Sequence, residues 1–435
     1  MDHAIVIGAS MSGLLAAAAL HRVATRVTVV DRDTLPEHDA HRRGVGQSRH
    51  AHGLLARGRE AMEELLPGLT GELLARGALA GDIQEQVRWI NDGHRLARGR
   101  SGMTGLLVGR PVLEGQVRRR VAALDGVSVR GDLQVTGLLA AHGSVNGVRL
   151  ANGDVWRTDL VVDASGRGSR TPLWLREIGC RPPAEERVTI GLTYTTREFR
   201  RVAAHLGGDL AVVVGPTSEA ARAGVALATE GDRWIVTLGG YGGETAPVDL
   251  DGFAAYAASL AVPDLHHLVR HAEPVGEPRT YRTPASVRRR YERLDDFPEG
   301  LVVVGDAVCA FNPLYGQGMT VAATEAQVLL TWAGRGARRP RDFFRGISSL
   351  VDGPWDIVVG GDLRLPGVEG EITPKVKLVN AYLGRFHAAA AHDPELGRRF
   401  LRVANLVDAP PALMSPGTML RVLRSGAPRA VPVPA

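Results

Sequence analysis

Cysteine and lysine are scarce in this sequence, and aromatic residues make up only 5% of it, so its apolar surfaces are built mainly from Leu, Val and Ala. Among 435 residues there are two cysteines, Cys180 and Cys309, which provide neither a disulfide framework nor the spacing of a metal site. Lysine occurs only at Lys375 and Lys377, so arginine carries nearly all the positive charge and is scattered among 47 acidic residues. Because the net charge of +5 is not concentrated in a basic block, we expect no nucleic-acid partner.

Long apolar runs are also missing. No stretch reaches the roughly 18 apolar residues that a membrane-spanning helix needs. The stretch from Ile5 to Leu20 has the apolar character of a signal peptide, but no basic residue precedes it, and Gly8 and Gly13 interrupt it. We therefore expect a cytoplasmic protein with no membrane span and with reduced thiols. The length and the apolar content of 44% predict two or three interleaved domains.

The chain begins with the order of elements that binds dinucleotides. Ala4 to Ile7 is predicted to be a strand, a glycine-containing loop and a helix follow, and a second strand ends at Asp31. The helix N-terminus would hold a pyrophosphate, and the acid would bond the adenosine ribose, with Arg32 along the adenosine side. Ser10 replaces the middle glycine of the G-x-G-x-x-G motif, and its hydroxyl can donate to phosphate. The residues predicted to form this loop are Gly8, Ser10, Met11, Ser12 and Gly13.

A second glycine-containing stretch, LVVVGDAVCAFNPLYGQGM at residues 301–319, has the features that hold a flavin. Leu301 to Val304 is predicted to be a short buried strand, after which the chain turns at Gly305 and presents Asp306. An acid at this place suits the hydroxyls of a sugar-alcohol chain. Glycines at the start of the following helix let a flat ring come close to the backbone and to the partial positive charge of the helix end. The residues concerned are Pro313, Gly316, Gln317, Gly318 and Met319.

The sequence GDA followed by P-x-x-G-Q-G-M resembles the second FAD fingerprint of flavoprotein monooxygenases of the para-hydroxybenzoate hydroxylase type. The resemblance implies that Asp306 bonds the ribityl chain, that Gly318 and Met319 face the isoalloxazine, and that Pro313 lies over the ring near the substrate. The stretch at 160–170 resembles the third fingerprint and contributes Asp163, although Ser165-Gly166 replaces the usual Asp-Gly pair. In hydroxylases that motif is associated with both FAD and the reduced nicotinamide.

Further cofactor contacts follow from the same resemblance. It implies that Arg43, in a loop rich in Arg, His and Gly, lies near the flavin, and that Arg110, before a helix, reaches the FAD phosphates. It also places Val135 beside the adenine. His52 is expected at the flavin edge or hydrogen-bonded within its loop. His50 and His52 are spaced as two metal ligands in a strand would be, but no third ligand accompanies them, so we expect no metal.

The sequence predicts an α/β fold: a Rossmann-like FAD-binding domain, an interleaved antiparallel β-sheet substrate domain and a C-terminal helical region. Strands are predicted over 87–96 and 127–135, and four successive strands of the substrate sheet over 188–196, 210–214, 224–229 and 234–240. Candidates to line the substrate pocket are His52, Tyr194, Trp234 and Tyr241, and packing is the alternative role for each of the three aromatic residues. The C-terminal helices are expected to break at Pro354, Pro366 and Pro374, and 428–435 to be loose. The predicted segments are 1–80, 101–180 and 286–340 for FAD binding, 81–100 and 181–285 for the substrate domain, and 341–435 for the helical region.

The resemblance is closest to bacterial FAD-dependent epoxidases of polyether biosynthesis, relatives of squalene epoxidase. It implies a monooxygenase in which a flavin hydroperoxide delivers one oxygen atom of O2 to an apolar natural-product substrate by epoxidation or hydroxylation. NAD(P)H would supply electrons, directly or through a partner flavin reductase. No catalytic side chain is nominated, and covalent attachment of flavin to Cys309 stays open.

Two other functions remain open from the sequence. One is a FAD-dependent reductase or dehydrogenase of isoprenoid-like double bonds, and the other is a non-catalytic carrier with a flavin fold. A related flavin halogenase is disfavoured because the W-x-W-x-I-P box and an active-site lysine are missing.

Overall fold

A computed structural model describes residues 1–335 and 338–425 of the chain. The strands are β1 His3–Ile7, β2 Arg26–Val30, β3 Gly53–Leu54, β4 Leu79–Asp82, β5 Val87–Asn91, β6 His94–Arg95, β7 Thr104–Leu107, β8 Val127–Arg130, β9 Val135–Ala141, β10 Ser144–Leu150, β11 Val155–Arg157, β12 Leu160–Asp163, β13 Glu185–Arg200, β14 Ala211–Val214, β15 Arg222–Thr229, β16 Arg233–Gly240, β17 Pro274–Arg289, β18 Leu301–Val303 and β19 Cys309–Ala310. The α-helices are α1 Met11–Leu20, α2 Ala56–Leu65, α3 Leu69–Ala75, α4 Arg110–Ala122, α5 Thr171–Glu177, α6 Leu250–Ala258, α7 Asp264–His271, α8 Gly318–Ala333, α9 Pro340–Asp362, α10 Pro374–Ala390, α11 Pro394–Ala404 and α12 Pro416–Arg424.

Two units share the chain, and each is assembled from three separate stretches. The first unit contains 1–78, 108–188 and 285–355, and the second contains 79–107, 189–284 and 356–435. The long strands β13 and β17 and the helix α9 contribute residues to both units. The division into the six segments proposed from the sequence stays a prediction.

The first unit is built on a parallel sheet in the order β18-β12-β1-β2-β8. Strands β18, β12 and β1 are almost entirely apolar and buried, as strands covered on both faces must be. The helix α1 packs against α4 and α8, and α2 packs against α8. The Rossmann-like α/β fold predicted from the sequence is therefore confirmed.

A small antiparallel meander, β11-β10-β9, completes the first unit's sheets. The sequence placed a single strand over 127–135, and this was wrong: 127–130 is β8 of the parallel sheet, and β9 begins at Val135. The interruption has a backbone cause, because Asp132 has a left-handed φ of 58° and Gly131 lies too close to the backbone of Asp33 and Leu35 for a Cβ.

The second unit contains a mainly antiparallel sheet. β13, β16, β15 and β14 pair antiparallel, and β5 joins β14 in parallel. These strands cover the four predicted from the sequence. The strand predicted over 87–96 was wrong, because Asp92 and Gly93 both have positive φ and turn the chain into the hairpin β5-β6. The sequence also gave no prediction of β17 as one long strand, since it contains three prolines.

The helical C-terminal region begins with α9, which runs through Pro354. The predicted break at this proline was wrong: the helix loses one backbone hydrogen bond there, but buried Val351, Trp355 and Val358 on either side hold its apolar face in place. The breaks predicted at Pro366 and Pro374 are present, since α9 ends at Asp362 and Thr373 caps α10. The segment 428–435 lies outside the described residues. Within 1–335 and 338–425, no helix combines the length and the apolar character needed to cross a membrane.

Candidate functional site

The carboxyl ends of four parallel strands bring the sequence motifs to one edge of the first unit's sheet. β1 leads into Gly8, β2 into Asp31, and β18 into Gly305, while β12 ends at Asp163. The N–H of Gly8 donates to the carbonyl of Val30 at 2.7 Å, which ties the first loop to the end of the neighbouring strand. Ligands of open parallel sheets bind at this edge.

Close backbone packing explains why glycines occupy this first loop. A Cβ on Gly13 would lie 1.8 Å from the carbonyl oxygen of Gly8, and one on Gly8 would lie 2.5 Å from that of Ala164. Gly8 also has a φ of 106°, which other residues rarely adopt. No side chain caps the N-terminus of α1, and its first turn contains no acid. The N–H groups and the positive end of the helix dipole are therefore available to an anion.

Ser10 connects the loop to two charged residues of α4. Its hydroxyl donates to Glu114 Oε2 at 3.1 Å and accepts from Arg110 Nη2 at 3.0 Å. Arg110 also donates to Glu114 Oε2 from Nε at 3.0 Å and from Nη2 at 2.9 Å. Burial favours the neutral form of Glu114, but the charges of Arg110 and Arg42 outweigh it and lower its pKa. The predicted phosphate-binding arginine thus lies beside the loop, held by a carboxylate that sequence reasoning missed.

Arg42, and not its neighbour Arg43, is the buried arginine of the following loop. Its guanidinium donates to the carbonyl of Ala9 at 2.8 Å and to Glu114 Oε1 at 3.0 Å, and it pairs with Asp31 Oδ2 at 2.7 Å. Arg43, which the resemblance placed near the flavin, is exposed. Two adjacent arginines cannot be told apart by composition or motif, so the sequence held no signal that would have selected Arg42.

Asp31 is buried at the end of β2, where the dinucleotide motif predicts an acid. Its Oδ2 accepts from the N–H of Ala9 at 2.6 Å, and its Oδ1 accepts from the N–H of Asp33 at 2.9 Å. These bonds and the Arg42 ion pair fix the carboxylate against the first loop. Arg32 is exposed. Ribose binding by Asp31 stays a prediction.

Asp163 forms a closed set of hydrogen bonds within its own loop. The carboxylate is fully buried and accepts from the N–H and hydroxyl of Ser165 at 2.9 and 2.5 Å, from Ser169 Oγ at 2.5 Å, and from Thr171 Oγ1 at 2.6 Å. Ser165, the departure from the Asp-Gly fingerprint, therefore serves the loop itself. Asp163 shapes the loop between β12 and α5, and its contact with a cofactor stays a prediction. Val135, predicted beside the adenine, is buried at the start of β9.

The stretch at 301–319, which resembles a flavin-binding fingerprint, packs directly on the glycine-containing loop after β1. A Cβ on Gly305, whose φ is 65°, would lie 2.2 Å from Ser12 Oγ, so only glycine fits the turn that presents Asp306. The Asp306 side chain is 29% exposed, and its Oδ2 lies 3.5 Å from Arg167 Nε. Arg167 is anchored in turn by the carbonyls of Ala285 and Phe311. The acid is thus accessible and oriented.

No side chain caps the start of α8. A single 3-10 turn covers Pro313–Tyr315, and Gly316 has a φ of 66°. Neither a side-chain cap nor an acid occupies the first turn of α8, in which Gln317 and Met319 are buried. A Cβ on Gly318 would meet only Asp306 Oδ1, at 3.8 Å. The protein therefore leaves space at Gly318 beside the predicted ribityl-binding acid.

Glu325, which the sequence analysis did not select, lies against the turn at Gly305–Asp306. It is fully buried in α8, and its Oε2 accepts from the N–H of Gly305 at 2.6 Å. Burial, helped by the charge of Asp306, raises the pKa of Glu325 to about 8. A lone acid within the apolar helix sequence VAATEAQVLL was the signal that could have found it.

The two histidines of the RHAH sequence are both neutral at ordinary pH. Burial lowers the pKa of His52 to about 3, with help from the charge of Arg110, and burial lowers that of His50 to about 4. His52 Nδ1 lies 2.8 Å from the carbonyl of His50, so this nitrogen carries the proton and donates. Among the described residues no group of three or more His, Cys, Asp or Glu could hold a metal ion.

The three aromatic candidates lie in the second unit, in different surroundings. Trp234 is fully buried in the hydrophobic core of the sheet, opposite Phe199, so the packing alternative describes it. Tyr241 is buried and donates to Asp362 Oδ1 at 3.0 Å, and the Tyr194 ring lies 5.7 Å from that of Tyr281. Pocket lining by the two tyrosines stays a prediction.

The chain has the fold of the FAD-dependent monooxygenases. It is similar to PqsL, described as a probable FAD-dependent monooxygenase from Pseudomonas aeruginosa, with a TM-score of 0.60 and 18% identity over 92% of this chain and 99% of that one. It is also similar to the flavin-dependent brominase Bmp2, with a TM-score of 0.65 and 16% identity over 93% and 94% of the two chains. A flavoprotein/dehydrogenase from Cytophaga hutchinsonii gives a TM-score of 0.68 and 16% identity over 98% of each chain.

The chain belongs to the family of Protein Rv3254 of Mycobacterium tuberculosis. The two sequences are 35% identical in an alignment that covers 94% of this chain and 90% of its relative. No protein-family model matches the chain.

Proposed function

We propose that this protein is an FAD-dependent monooxygenase that inserts one oxygen atom from O2 into an apolar small molecule by epoxidation or hydroxylation. The observation that carries the proposal is the pairing of two open helix starts in one unit. α1 and α8 pack together, neither has a side-chain cap or an acid in its first turn, and Arg110 lies near the first while Asp306 lies near the second. Phosphate at one end and a polyol beside a flat ring at the other are the parts of FAD.

The residues of the first unit fit the parts of this cofactor. The N-terminal N–H groups of α1, with Ser10 and Arg110, would hold the pyrophosphate, and Asp31 would accept from the adenosine ribose. Asp306 would accept from the ribityl hydroxyls. The backbone at Gly318 leaves room for the ring, because the only contact of a Cβ there with the described residues outside its own helix turn is Asp306 Oδ1 at 3.8 Å. Arg43 is exposed, and its contact with the flavin stays a prediction.

FAD, reduced with two electrons from NAD(P)H, supplies the oxygen chemistry, in which one atom of O2 enters the substrate and the other leaves as water. The protein's own residues bind, orient and exclude water. His52 stays neutral over the working pH range and so adds no charge near Arg110. Electrons would arrive directly from NAD(P)H or through a partner flavin reductase.

The second unit is proposed as the substrate domain, with Tyr194 and Tyr241 as pocket residues. Hydrophobic residues make up 44% of the chain and aromatic residues only 5%, so its apolar surfaces are mainly aliphatic, which suits an apolar substrate. Similarity to polyether and squalene epoxidases supports epoxidation of an alkene in a natural product, and a cytoplasmic location is part of the same proposal.

The proposal is tested with purified protein, FAD, NADPH and a panel of terpenoid and polyketide alkenes under 18O2. Substrate-dependent O2 uptake with one labelled oxygen in the product supports the monooxygenase. Flavin turnover that reduces a double bond without O2 would replace it with a reductase. A protein that takes up no flavin at all would leave only a carrier with a flavin fold.

A further inference from the structure

Only one of the two carboxyl oxygens of Glu325 has a hydrogen-bond partner among the described residues. Its Oε2 accepts from the N–H of Gly305 at 2.6 Å, and its Oε1 is buried with no hydrogen-bond partner among the described residues. The residue has no exposed surface. A buried ionised carboxylate normally has several donors or a paired cation, so this environment suits a neutral acid.

The elements packed around Glu325 supply no compensating positive charge at the carboxyl group. α1 contains no titratable side chain, and the charged groups of α2 that reach α8, Arg57 and Glu64, contact Gln327 instead. Across the turn stand Asp306 and Cys309. Burial keeps Cys309 as a thiol by raising its pKa, and the charge of Asp306 opposes a second negative charge close by. Burial raises the pKa of Asp306 as well, but the charges of Arg167 and Arg110 favour its ionised form. Glu325 has no such cation, so the proton of this pair of carboxyl groups belongs to Glu325.

We propose that Glu325, as a neutral carboxylic acid, is a positioning residue that holds the Gly305–Asp306 turn in the shape that binds FAD, and that its ionisation in alkaline solution weakens FAD binding. The inference rests on the proposed function. The N–H of Gly305 donates to Glu325, and Gly305 also packs against the side chain of Ser12, so the turn is held by both contacts. An ionised Glu325 would place like charges on both sides of one glycine, and relief requires that the turn move or that Asp306 take the proton. Either change removes the acceptor proposed for the ribityl chain.

The test compares FAD dissociation constants of four proteins from about pH 6 to about pH 9.5: wild type, Glu325→Gln, Glu325→Ala and Glu64→Gln. Since ionisation with a pKa of about 8 depletes the binding-competent form, wild-type affinity should be about tenfold weaker at about pH 9 than at about pH 7. Glu325→Gln copies the neutral acid, so it should bind as wild type does near neutrality and show no alkaline decline. Glu325→Ala should bind more weakly at every pH, and the exposed control Glu64→Gln should follow wild type.

Thermal unfolding of the FAD-free proteins gives a second readout. Because the folded pKa is raised above the ordinary 4.5, wild type should lose stability as pH rises from about 4.5 to about 8, whereas Glu325→Gln should not. The inference is overturned if Glu325→Gln weakens FAD binding at neutral pH as much as Glu325→Ala, or if it keeps the alkaline decline. A wild-type protein that binds no FAD at any pH overturns the proposed function and this inference with it, whereas normal FAD binding with identical pH profiles in wild type and Glu325→Gln overturns the inference alone.

Discussion

Arg42 Nη1 donates to Glu114 Oε1 at 3.0 Å, and this pair joins the loop after β2 to helix α4 across 72 positions of sequence. The same guanidinium reaches the carbonyl of Ala9 and the carboxylate of Asp31. Arg42 therefore binds together three segments that surround the proposed pyrophosphate and ribose positions.

Replacing Arg42 should damage both stability and cofactor binding. Arg42→Met leaves the buried carboxylates of Asp31 and Glu114 without their shared partner, which should cost about 3–5 kcal/mol of unfolding free energy. Urea unfolding measures this loss, and flavin content after purification should fall with it. Arg43→Met is the matched control, because an exposed side chain should change stability by no more than about 0.5 kcal/mol. Equal effects of the two substitutions would show that the buried cluster does not hold the site.

Asp306→Ala should release FAD without unfolding the protein. The carboxylate is partly exposed, so its removal leaves no large cavity, but the ribityl hydroxyls lose a charged acceptor. Losing such hydrogen bonds at about 1.5–3 kcal/mol should weaken FAD binding by roughly tenfold to a hundredfold. Quenching of flavin fluorescence measures the dissociation constant. Asp295→Ala, at an exposed acid in the same unit, should bind FAD normally. An unchanged constant in Asp306→Ala would remove this residue from the site.

Gly318→Val separates a steric block of the cofactor from damage to the fold. In the protein alone, a Cβ at this position has only an ordinary contact with Asp306 Oδ1 at 3.8 Å, so we expect the substitution to lower the free energy of unfolding by no more than about 1 kcal/mol. The valine would nevertheless occupy the space proposed for the ring, and we expect no flavin absorbance. Gly384→Val, at a helical glycine with open space around it, controls for the helix propensity of valine. A flavin spectrum like that of wild type in Gly318→Val would place the ring elsewhere.

Asp92→Asn should make the second unit less stable near neutral pH and less sensitive to acid. Burial alone would raise the pKa of Asp92, but the hydrogen bond from His387 and the charge of Arg364 lower it to about 2. Because the folded pKa is depressed, this stabilisation is present above the unfolded pKa of 3.8 and is lost as pH falls through about 2. It corresponds to roughly 2 kcal/mol, which urea titrations at several pH values can measure.

Asp232→Asn is the control for this change. Asp232 also has a positive φ, but its side chain is 84% exposed, so its replacement should leave the pH dependence unchanged. If both variants behave as wild type, the Asp92 ion pairs contribute no stability.

Local sequence patterns predicted most of the fold, because the strands, tight loops and helix starts depend mainly on neighbouring residues in the chain. Apolar strands, glycines in tight loops and the order of motifs gave the parallel sheet, and alternation gave the four central strands of the second unit. The errors arose where one or two backbone angles decide the outcome, as at Asp92 and Asp132, or where packing outweighs propensity, as at Pro354. Those causes lie in three-dimensional contacts that the sequence does not display.

Some residues of the candidate site could be predicted from local patterns, and others depend on three-dimensional contacts. The acids and glycines at strand ends could be predicted because topology alone puts them at one edge. Arg42 could not be distinguished from Arg43, since only the position of α4 and its Glu114 decides which one is buried. Trp234 was expected to be a possible pocket residue, yet its strand faces the core there. Glu325 was overlooked because its partner is a backbone N–H and not another side chain.

The interleaving of the chain has a consequence for synthesis on the ribosome. β18 and the turn that presents Asp306 come after residue 300, whereas the strand it joins, β12, is complete by residue 163. The nascent chain must therefore wait through more than a hundred further residues with that sheet edge unpaired, which favours slow, late closure and transient protection by chaperones. The proposed FAD site is therefore complete only after α8 has been synthesised.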